Sequence, residues 1–366
     1  MRAKLEDVCV RGSSNLKQSD VIDKTGEYPI YGAAGYIGNV DFYHQDQPYV
    51  AVVKDGAGIG RTSLYPAESS VIGTMQYLLP KENVLPEYLC YVVKYMHLEK
   101  YFTGATIPHI YFKDYKKEEF NLDTLDRQKE IVNILGRIEC VISSRQQELQ
   151  KLDELIKARF VELFGDPDNN EKSWDIDKME HLCEVGSSKR IYQNEQSMEG
   201  APFLRISDLV NRIDTGSKKC DSYIPIEKFA ELKEQGLVPR PGDILLTARG
   251  TLGRCYIVQS DDEFYFQDGM ITWLSNYDRR ITALYISYLF EMPGFRKQID
   301  ALQAGSTVAY MSISMTKKLN IIVPPIELQN QFADFVKQVD KSKVAVQKAL
   351  EKTQLLFDSL MQQYFG

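Results

Sequence analysis

The sequence predicts an α+β fold in which two mixed α/β domains are each followed by a long helix. Three observations lead to this prediction. The second half of the chain repeats the first, and each half ends in a long proline-free segment with apolar residues at helical spacing. The segment before each of these tails alternates strand-like and helical stretches, which is typical of mixed α/β domains. With 366 residues, the chain is long enough to bury two hydrophobic cores.

The repeat consists of short blocks that recur in the same order in both halves. Leu5–Ser14 and Met179–Ser188 are identical at five of ten positions. Further along, the offset between the two copies grows from 174 to 201 residues, so the second half carries 27 additional residues. The other matched pairs are Val52–Tyr65 with Leu245–Val258, Thr103–Ile110 with Ala304–Met311, Gln128 with Gln329, and Phe164-Gly165 with Phe365-Gly366.

Both tails carry an apolar stripe at heptad spacing. A lone helix of about 39 residues, roughly 58 Å long, cannot bury such a stripe, so we expect the two tails to pair as an antiparallel coiled coil that acts as a spacer. The alternative is that each tail packs on its own globular domain. The stripe residues are Leu135, Ile142, Leu149 and Ile156 in the first tail and Val339, Leu350, Phe357 and Leu360 in the second.

These patterns divide the chain into four segments with an internal pseudo-twofold repeat: a first domain (1–125), a central helix (126–165), a second domain (166–325) and a C-terminal helix (326–366). Gly165 followed by Pro167 predicts the end of the central helix. Within the domains, the predicted strands are Tyr49–Val53, Val71–Leu79, Ile244–Thr247, Phe264–Leu274 and Ile321–Val323, and the predicted helices are Pro86–Tyr101 and Leu284–Ala301.

Composition excludes several classes of protein. The longest apolar runs are far shorter than the roughly 20 residues of a membrane helix, and the N-terminus lacks a signal core, so we expect a cytoplasmic protein without a membrane partner. Six cysteines without a C-x-x-C pair and four histidines favour neither a disulfide framework nor a zinc site. The net charge of −7 repels an anionic polymer, so any contact with DNA needs local basic patches or a basic partner.

A glycine loop, Asp55–Gly60, is the strongest enzymatic motif, because it resembles the cofactor loop of a methyltransferase or dinucleotide-binding enzyme. Such a loop normally opens a helix, whereas Arg61–Pro66 is β-like and ends at a proline. This loop and its counterpart in the second half, Arg249–Gly253, are therefore predicted to be tight turns. They would direct Lys54 and Arg61, and Arg249 and Arg254, outward. A stand-alone S-adenosylmethionine-dependent DNA methyltransferase and a protein scaffold that never touches DNA are the alternative functions.

Several segments together carry a family resemblance that covers essentially the whole chain. The sequence resembles the specificity subunit of a type I DNA restriction-modification system, in which two target-recognition domains are each followed by a long helix. The family's proline-rich entry to the spacer helix is matched in part by Pro324–Phe332, and the first copy lacks the prolines. The segments that carry the resemblance are Tyr28–Tyr43, Val50–Leu78, Pro202–Leu209, Gly242–Gly253, and the GATIPHI and GSTVAYM turns.

The resemblance implies a non-catalytic chain that reads double-stranded DNA and positions its partners on it. Two methyltransferase subunits would bring S-adenosylmethionine chemistry to adenine N6, and restriction/translocase subunits would use ATP and Mg²⁺ to cut. No cofactor or metal is expected in this chain. The target would be two different half-sites separated by an unread gap, whose length the helices fix.

Candidate DNA contacts follow from the chemistry of base edges in the major groove. Arg pairs with guanine O6 and N7, and Asp accepts from cytosine N4. Arg61 and Arg254 occupy equivalent repeat positions, so the alternative is that they stabilise the domains. Arg249, aligned with Gly56, is the better specificity candidate. The candidates are Lys54, Asp55 and Arg61 in the first domain and Arg205, Ser207, Arg249 and Arg254 in the second.

Overall fold

A computed structural model describes residues 1–103, 108–301 and 309–366. The chain divides into two compact units. Unit 1 comprises Met1–Glu148 and Val346–Gly366, and unit 2 comprises Leu149–Ala345. Each unit therefore combines one globular part with one half of each long helix. In the described part of the chain, no helix is both long enough and apolar enough to cross a membrane.

Unit 1 is built from short strands and a few helices around α2. The helix α2 starts with proline at its first position and has an acidic residue in its first turn, both favourable at a helix N-terminus. The strands are β1 (Arg2–Lys4), β2 (Cys9–Ser13), β3 (Tyr28–Gly32), β4 (Gly35–Val40), β5 (Tyr49–Val53), β6 (Thr62–Tyr65), β7 (Ser70–Val71), β8 (Met75–Pro80) and β9 (Glu119–Asn121), and the helices are α1 (Leu5–Val8), α2 (Pro86–Tyr95), α3 (Phe112–Tyr115) and α4 (Leu125–Phe164).

Unit 2 has the same kinds of element and, among the described residues, three additional α-helices: α6, α7 and α9, the last of which follows α8 where unit 1 has a 3₁₀ segment after α2. The strands are β10 (Asp175–Lys178), β11 (Glu184–Gly186), β12 (Ala201–Leu204), β13 (Tyr223–Ile224), β14 (Ile244–Thr247), β15 (Cys255–Ile257), β16 (Tyr265–Phe266), β17 (Ile271–Ser275) and β18 (Asn320–Val323). The helices are α5 (Met179–Leu182), α6 (Ile206–Thr215), α7 (Ile226–Glu234), α8 (Ala283–Glu291), α9 (Pro293–Ala301), α10 (Ile313–Lys317) and α11 (Ile326–Phe365).

The sheets of the two units correspond strand for strand. An antiparallel sheet has the order β2-β8-β5-β6 in unit 1 and β11-β17-β14-β15 in unit 2. A mixed sheet has the order β4-β3-β7 in one and β13-β12-β16 in the other, each with one antiparallel and one parallel pair. The pair β1-β9 matches β10-β18. The predicted α+β fold with an internal repeat is therefore confirmed, and much of the additional length of the second half forms α6 and α7.

Some predicted elements are shorter than the sequence suggested. The predicted strand Val71–Leu79 is two strands, β7 and β8, joined by a turn. The predicted helix Pro86–Tyr101 ends as α2 before His97, whose positive φ of 50° cannot continue a helix, and a short 3₁₀ segment follows. The predicted helix Leu284–Ala301 is α8 and α9, because Pro293 begins a second helix.

Each core lies between the antiparallel sheet and one helix. In unit 1, buried residues of α2 pack on one face of β5 and β8, and in unit 2 buried residues of α8 pack on the matching face of β14 and β17. Tyr88 of α2 and Tyr285 of α8 are equivalent. Each is buried, and each donates its hydroxyl to a backbone carbonyl of the neighbouring strand segment, at 2.8 and 2.9 Å. The long helices complete both cores.

Within each unit, the two long helices run antiparallel. In unit 1, the Arg145 guanidinium donates to the Ala349 carbonyl and to the Thr353 hydroxyl. In unit 2, Lys343 pairs with Asp153 at 2.6 Å, and farther along the helices the rings of Phe160 and Phe332 are in contact. Of the predicted stripe residues, Leu135, Ile156 and Val339 are buried, and Ile142, Leu149, Leu350, Phe357 and Leu360 are half-buried.

The ends of the long helices are anchored in the same way in both units. Phe365, at the end of α11, packs edge-on against Tyr88 in unit 1, with ring centroids 5.1 Å apart. Phe164, at the end of α4, packs against Tyr285 in unit 2 at 4.9 Å. Each core therefore contains the beginning of one long helix and the end of the other.

Candidate nucleic-acid interface

The glycine loops between β5 and β6 and between β14 and β15 are tight turns. Gly60 and Gly253 have φ of 81° and 74°, a conformation that L side chains rarely adopt. A Cβ on Gly60 would also lie 2.6 Å from the backbone nitrogen of Glu99. The loops run directly into strands β6 and β15. No helix begins at the last glycine, so the arrangement lacks the helix N-terminus that a cofactor loop requires.

The backbone contacts of these loops correct the alignment of the two copies by one residue. The amide of Ile110 donates to the Lys54 carbonyl at 3.0 Å, and the amide of Met311 donates to the Ala248 carbonyl at 2.9 Å. The next residues form matching bridges, Asp55 with His109 and Arg249 with Tyr310. The structural counterpart of Arg249 is therefore Asp55, not Gly56, because the second loop is one residue shorter and the matching Gly-Arg pairs concealed the difference.

Asp55 lies in a polar cluster on unit 1. Its carboxylate contacts Nδ1 of His109 within hydrogen-bond distance and lies 3.9 Å from the Lys54 ammonium. All three side chains are half-buried. Burial, together with the nearby Arg11 guanidinium, lowers the pKa of Lys54. The cluster therefore combines a fixed acceptor with a cation that is only partly hydrated.

Arg249 presents a different chemistry at the same position of unit 2. The residue is exposed, and its guanidinium lies 3.8 Å from the Met270 sulfur. Within residues 1–103, 108–301 and 309–366, Arg249 has no carboxylate within ion-pair distance. Within that part of the chain, the charge of this exposed guanidinium is therefore not offset by a carboxylate, which suits an arginine that reads a base or binds a phosphate.

Arg61 and Arg254 are both held by their own domains. Arg61 donates to the backbone carbonyl of Ala33 at 3.0 Å. Arg254 pairs with Asp214 on α6 at 2.5 Å, which holds the pKa of that carboxyl below its usual value. These contacts support the alternative that the two arginines stabilise their domains.

Arg205 and Ser207 lie where α6 begins, after β12. Both side chains are exposed, and the Arg205 amide donates to Asp208 Oδ2 at 2.8 Å, which caps the helix. The ion pair of Arg254 joins α6 near its other end, at Asp214, about 10 Å along the helix from Ser207. The candidates of unit 2 therefore do not form one cluster.

Sequence reasoning missed the residues that surround Lys54. Arg11, Gln76, His109, Tyr111 and Lys113 line a cavity of about 300 Å³ together with Lys54. The one available signal was the match of Thr103–Ile110 with Ala304–Met311, which places a histidine opposite a tyrosine. Parts of the GATIPHI and GSTVAYM turns, residues 104–107 and 302–308, lie outside the described residues.

The described residues bring together no group of three or more His, Cys, Asp or Glu side chains that could hold a metal ion. The interface is therefore described by its hydrogen-bond donors, its acceptors and its local charge.

Comparison with known proteins gives a consistent result. The family described as type I restriction modification DNA specificity domain matches residues 1–154 and 171–355. A protein of Haemophilus influenzae named as a type I restriction enzyme specificity subunit is 26% identical over 353 residues, which covers 93% of this chain and 86% of the relative. The MjaVIII specificity subunit of Methanocaldococcus jannaschii is 23% identical over 336 residues, covering 83% of this chain and 76% of the relative.

Solved structures share the fold. The S subunit of a type I restriction-modification system from M. genitalium has a TM-score of 0.60 at 15% identity, with 100% of this chain and 96% of that chain covered. A chain from a study of complex assembly and conformational transition of the type I system has a TM-score of 0.57 at 13% identity, covering 100% and 97%.

Proposed function

We propose, from the premise that the chain belongs to the type I restriction-modification DNA specificity family, that its two globular parts each read one half of a bipartite DNA target. The family confirms the sequence prediction of a DNA-recognition subunit, and the stand-alone methyltransferase is not favoured. The proposed target-recognition domains are residues 1–125 and 166–325, with helices 126–165 and 326–366 as the spacer.

The observation that carries the proposal is the divergence of two loops on one scaffold. The sheets of the units have the same order, yet equivalent loop positions hold Asp55 in one and Arg249 in the other. A carboxylate accepts from cytosine N4, whereas a guanidinium donates to guanine O6 and N7, so the two loops suit different bases. The half-sites should therefore differ from each other.

The remaining candidates contribute in different ways. We propose that Lys54, Arg205 and Ser207 contact DNA from exposed or half-buried positions at the ends of strands and helices. Arg61 and Arg254 would support the loops, since each is bound within its own domain. Phosphate contacts would fix the register on the duplex, and base contacts would carry the specificity.

The long helices would fix the gap between the half-sites. Each has 40 residues, or about 60 Å at 1.5 Å per residue. Their paired stripes support the proposed antiparallel coiled coil. Protein spacing sets half-site spacing in other bipartite DNA readers, and the same geometry would apply here.

The chemistry would come from partner subunits. Two methyltransferase subunits would transfer the methyl group of S-adenosylmethionine to adenine N6, and restriction/translocase subunits would use ATP and Mg²⁺. The net charge of −7 supports this division, because a basic partner would offset the repulsion between this chain and DNA. The complex would act in the cytoplasm, on double-stranded DNA.

A map of N6-methyladenine in the native genome, with and without this gene, tests the proposal. We expect a two-part asymmetric motif to lose its methylation when the gene is deleted. The recognition function would be contradicted if no motif lost its methylation and if the purified chain with its methyltransferase subunit also methylated no motif. Methyl transfer by the purified chain alone would instead establish the enzyme alternative.

A second experiment tests the spacer. Removing one heptad from each helix at facing positions, residues 143–149 and 346–352, retains the apolar stripe and shortens each helix by about 10 Å. We expect the gap to shorten by about three base pairs, at roughly 3.4 Å per pair, while both half-sites stay the same. Altered half-sites with an unchanged gap would refute the role of the helices.

A further inference from the structure

A basic cavity in unit 1 lies beside the proposed base-reading loop. Its volume is about 300 Å³, and Arg11, Lys54, Gln76, His109, Tyr111 and Lys113 contribute to its wall. Arg11 lies on β2, Gln76 on β8, and Lys54 directly after β5, so three neighbouring strands of one sheet supply these side chains. Alternation along the strands places them on the face that carries the α2 core, at the end of the sheet where that core stops.

The cavity contains a buried donor without a partner. Gln76 is 1% exposed, and its amide nitrogen has no hydrogen-bond partner among the residues that the structure describes. Leaving such a group unsatisfied is unfavourable, because the hydrogen bond to water that is lost on burial is not replaced. A buried amide that lines a cavity and lacks a partner points to a ligand that accepts a hydrogen bond there.

The charges around the cavity favour an anion. Arg11, Lys54 and Lys113 are cationic, and burial together with Arg11 lowers the pKa of Lys54, as expected for cations that lack enough counter-charge. Asp55 is the acid that faces this cluster, and its carboxylate is already engaged by His109 and lies 3.9 Å from Lys54. A bound oxyanion would accept from the cations and from Gln76 at once.

Unit 2 lacks this chemistry at the equivalent positions. The counterparts of Arg11, Lys54 and Gln76, established by strand register and backbone contacts, are Val185, Ala248 and Thr272. All three are buried. The charge of the cavity is therefore not required by the fold, because the same fold forms without it.

We propose that this cavity binds a backbone phosphate of the DNA target and anchors the first half-site. Phosphates protrude from the duplex and accept hydrogen bonds only, which matches a cavity that offers donors, whereas base edges combine donors and acceptors. The inference rests on the proposed function and deepens it: unit 1 holds the backbone through this cavity, whereas unit 2 has Val185, Ala248 and Thr272 at the positions of Arg11, Lys54 and Gln76.

The salt dependence of DNA binding tests the anchor. The full chain assembled with its methyltransferase subunit is titrated with its target duplex at several salt concentrations. For Arg11→Gln and Lys54→Gln we expect the slope of log K against log salt, which is negative, to become shallower by about 0.9, the value for one lost phosphate contact. The preference among DNA sequences should stay the same. Lys117→Gln, an exposed lysine of the same unit outside the cavity, is the matched control and should keep the wild-type slope.

A change on the DNA side keeps the test independent of protein folding. A set of duplexes, each with one neutral methylphosphonate linkage, identifies the phosphates that the wild-type complex needs. We expect one linkage whose neutralisation weakens the wild type but has little further effect on Arg11→Gln or Lys54→Gln. Slopes equal to wild type, or the absence of any such linkage, would overturn the proposal. A loss confined to one base pair would also overturn it in favour of base reading.

Inorganic phosphate separates the possible sources of the anion. The melting temperature of the full chain alone is compared in phosphate and in chloride at equal ionic strength. We expect phosphate to raise it for wild type and Lys117→Gln but not for Arg11→Gln or Lys54→Gln. A phosphate effect without coupling to any DNA linkage would assign the cavity to a free phosphate and overturn the DNA anchor. If the complex reads no DNA target at all, the proposed function fails, whatever this DNA-free measurement gives.

Discussion

Gln128 fixes the start of the helix α4 to the globular part of unit 1, and its replacement by Met removes that connection while keeping the side-chain volume. The residue is completely buried. Its carbonyl oxygen accepts from the Leu85 amide at 2.8 Å, and its amide nitrogen donates to the carbonyls of Asn83 and Asp123 at 3.0 and 2.9 Å. Gln128→Met would leave all three backbone groups without this partner.

The expected loss of stability follows from these contacts. A hydrogen bond contributes about 1 kcal/mol, and a buried donor left without a partner costs about 1 to 3 kcal/mol. The cavity contribution is small because Met and Gln are similar in size. We therefore expect Gln128→Met to lower the free energy of unfolding of unit 1 by about 3 kcal/mol.

Hydrogen exchange gives a local measurement of this loss. The Leu85 amide starts α2 and donates to Gln128, so its exchange should accelerate by about 100-fold, since each 1.4 kcal/mol corresponds to a factor of ten. Gln150→Met is the control on the same helix. Gln150 is exposed and contacts Glu154 of its own helix at 2.9 Å, so its change should stay within about 0.5 kcal/mol.

Gln329 provides the matched experiment in unit 2. It is equally buried, its oxygen accepts from the Thr282 amide at 2.9 Å, and its nitrogen donates to the carbonyls of Arg280 and Pro324. Gln329→Met should accelerate exchange of the Thr282 amide. If Gln128→Met and Gln329→Met both behave like Gln150→Met, the assignment of these glutamines as structural anchors is refuted.

Three further predictions concern other contacts. Asp262→Asn should cost about 3 to 5 kcal/mol at pH 7, because it leaves the buried guanidinium of Arg212, 3.0 Å from the carboxylate, without its counter-charge. Burial raises the pKa of Asp262, but the hydrogen bond from Tyr256 and the neighbouring donors outweigh burial and lower this pKa on balance. The stability that the Asp262 carboxylate contributes is therefore present above pH about 4, and it is lost as the pH falls through the pKa of the folded state. Unfolding titrations of wild type and variant should therefore converge at acidic pH. Phe365→Ala should destabilise unit 1 by about 3 to 5 kcal/mol in denaturant unfolding, since the ring is completely buried. Arg249→Ala should relax specificity at one base pair by about 1 to 3 kcal/mol in methylation of a target library, and equal loss at every position would make it a phosphate contact.

The long helices could be predicted from sequence because an apolar stripe runs along each tail, glycine follows the end of each helix, and prolines precede the start of the second one. The predicted segment 126–165 is the helix Leu125–Phe164, and 326–366 is Ile326–Phe365. The match of Gln128 with Gln329 also identified equivalent positions. In the structure, both side chains accept from one backbone amide and donate to two backbone carbonyls, which explains why both copies keep glutamine there.

The cavity beside Lys54 could not be predicted in this way. Arg11, Gln76 and His109 are far apart in the sequence. The strand order β2-β8-β5 brings Arg11 and Gln76 beside Lys54, and the bridge between Asp55 and His109 adds the histidine. Taken singly, none of these residues indicates a binding site: Gln76 interrupts an apolar strand, and His109 follows a proline. Local patterns report periodicity and turns, whereas a site of this kind depends on register across several strands.

Comparison of the two copies distinguishes residues that the fold requires from candidate recognition residues more clearly than either copy does by itself. Where both copies keep the residue, as with Gln128 and Gln329, a buried hydrogen-bond network explains it. Where the residue changes while the backbone contacts stay the same, as with Asp55 and Arg249, folding imposes no common side chain. The change of Lys54 to Ala248 belongs to the second class, and it replaces a half-buried cation by a buried methyl group. Since the fold forms with either residue, the cation needs another explanation, and a DNA phosphate bound in the cavity of unit 1 supplies it.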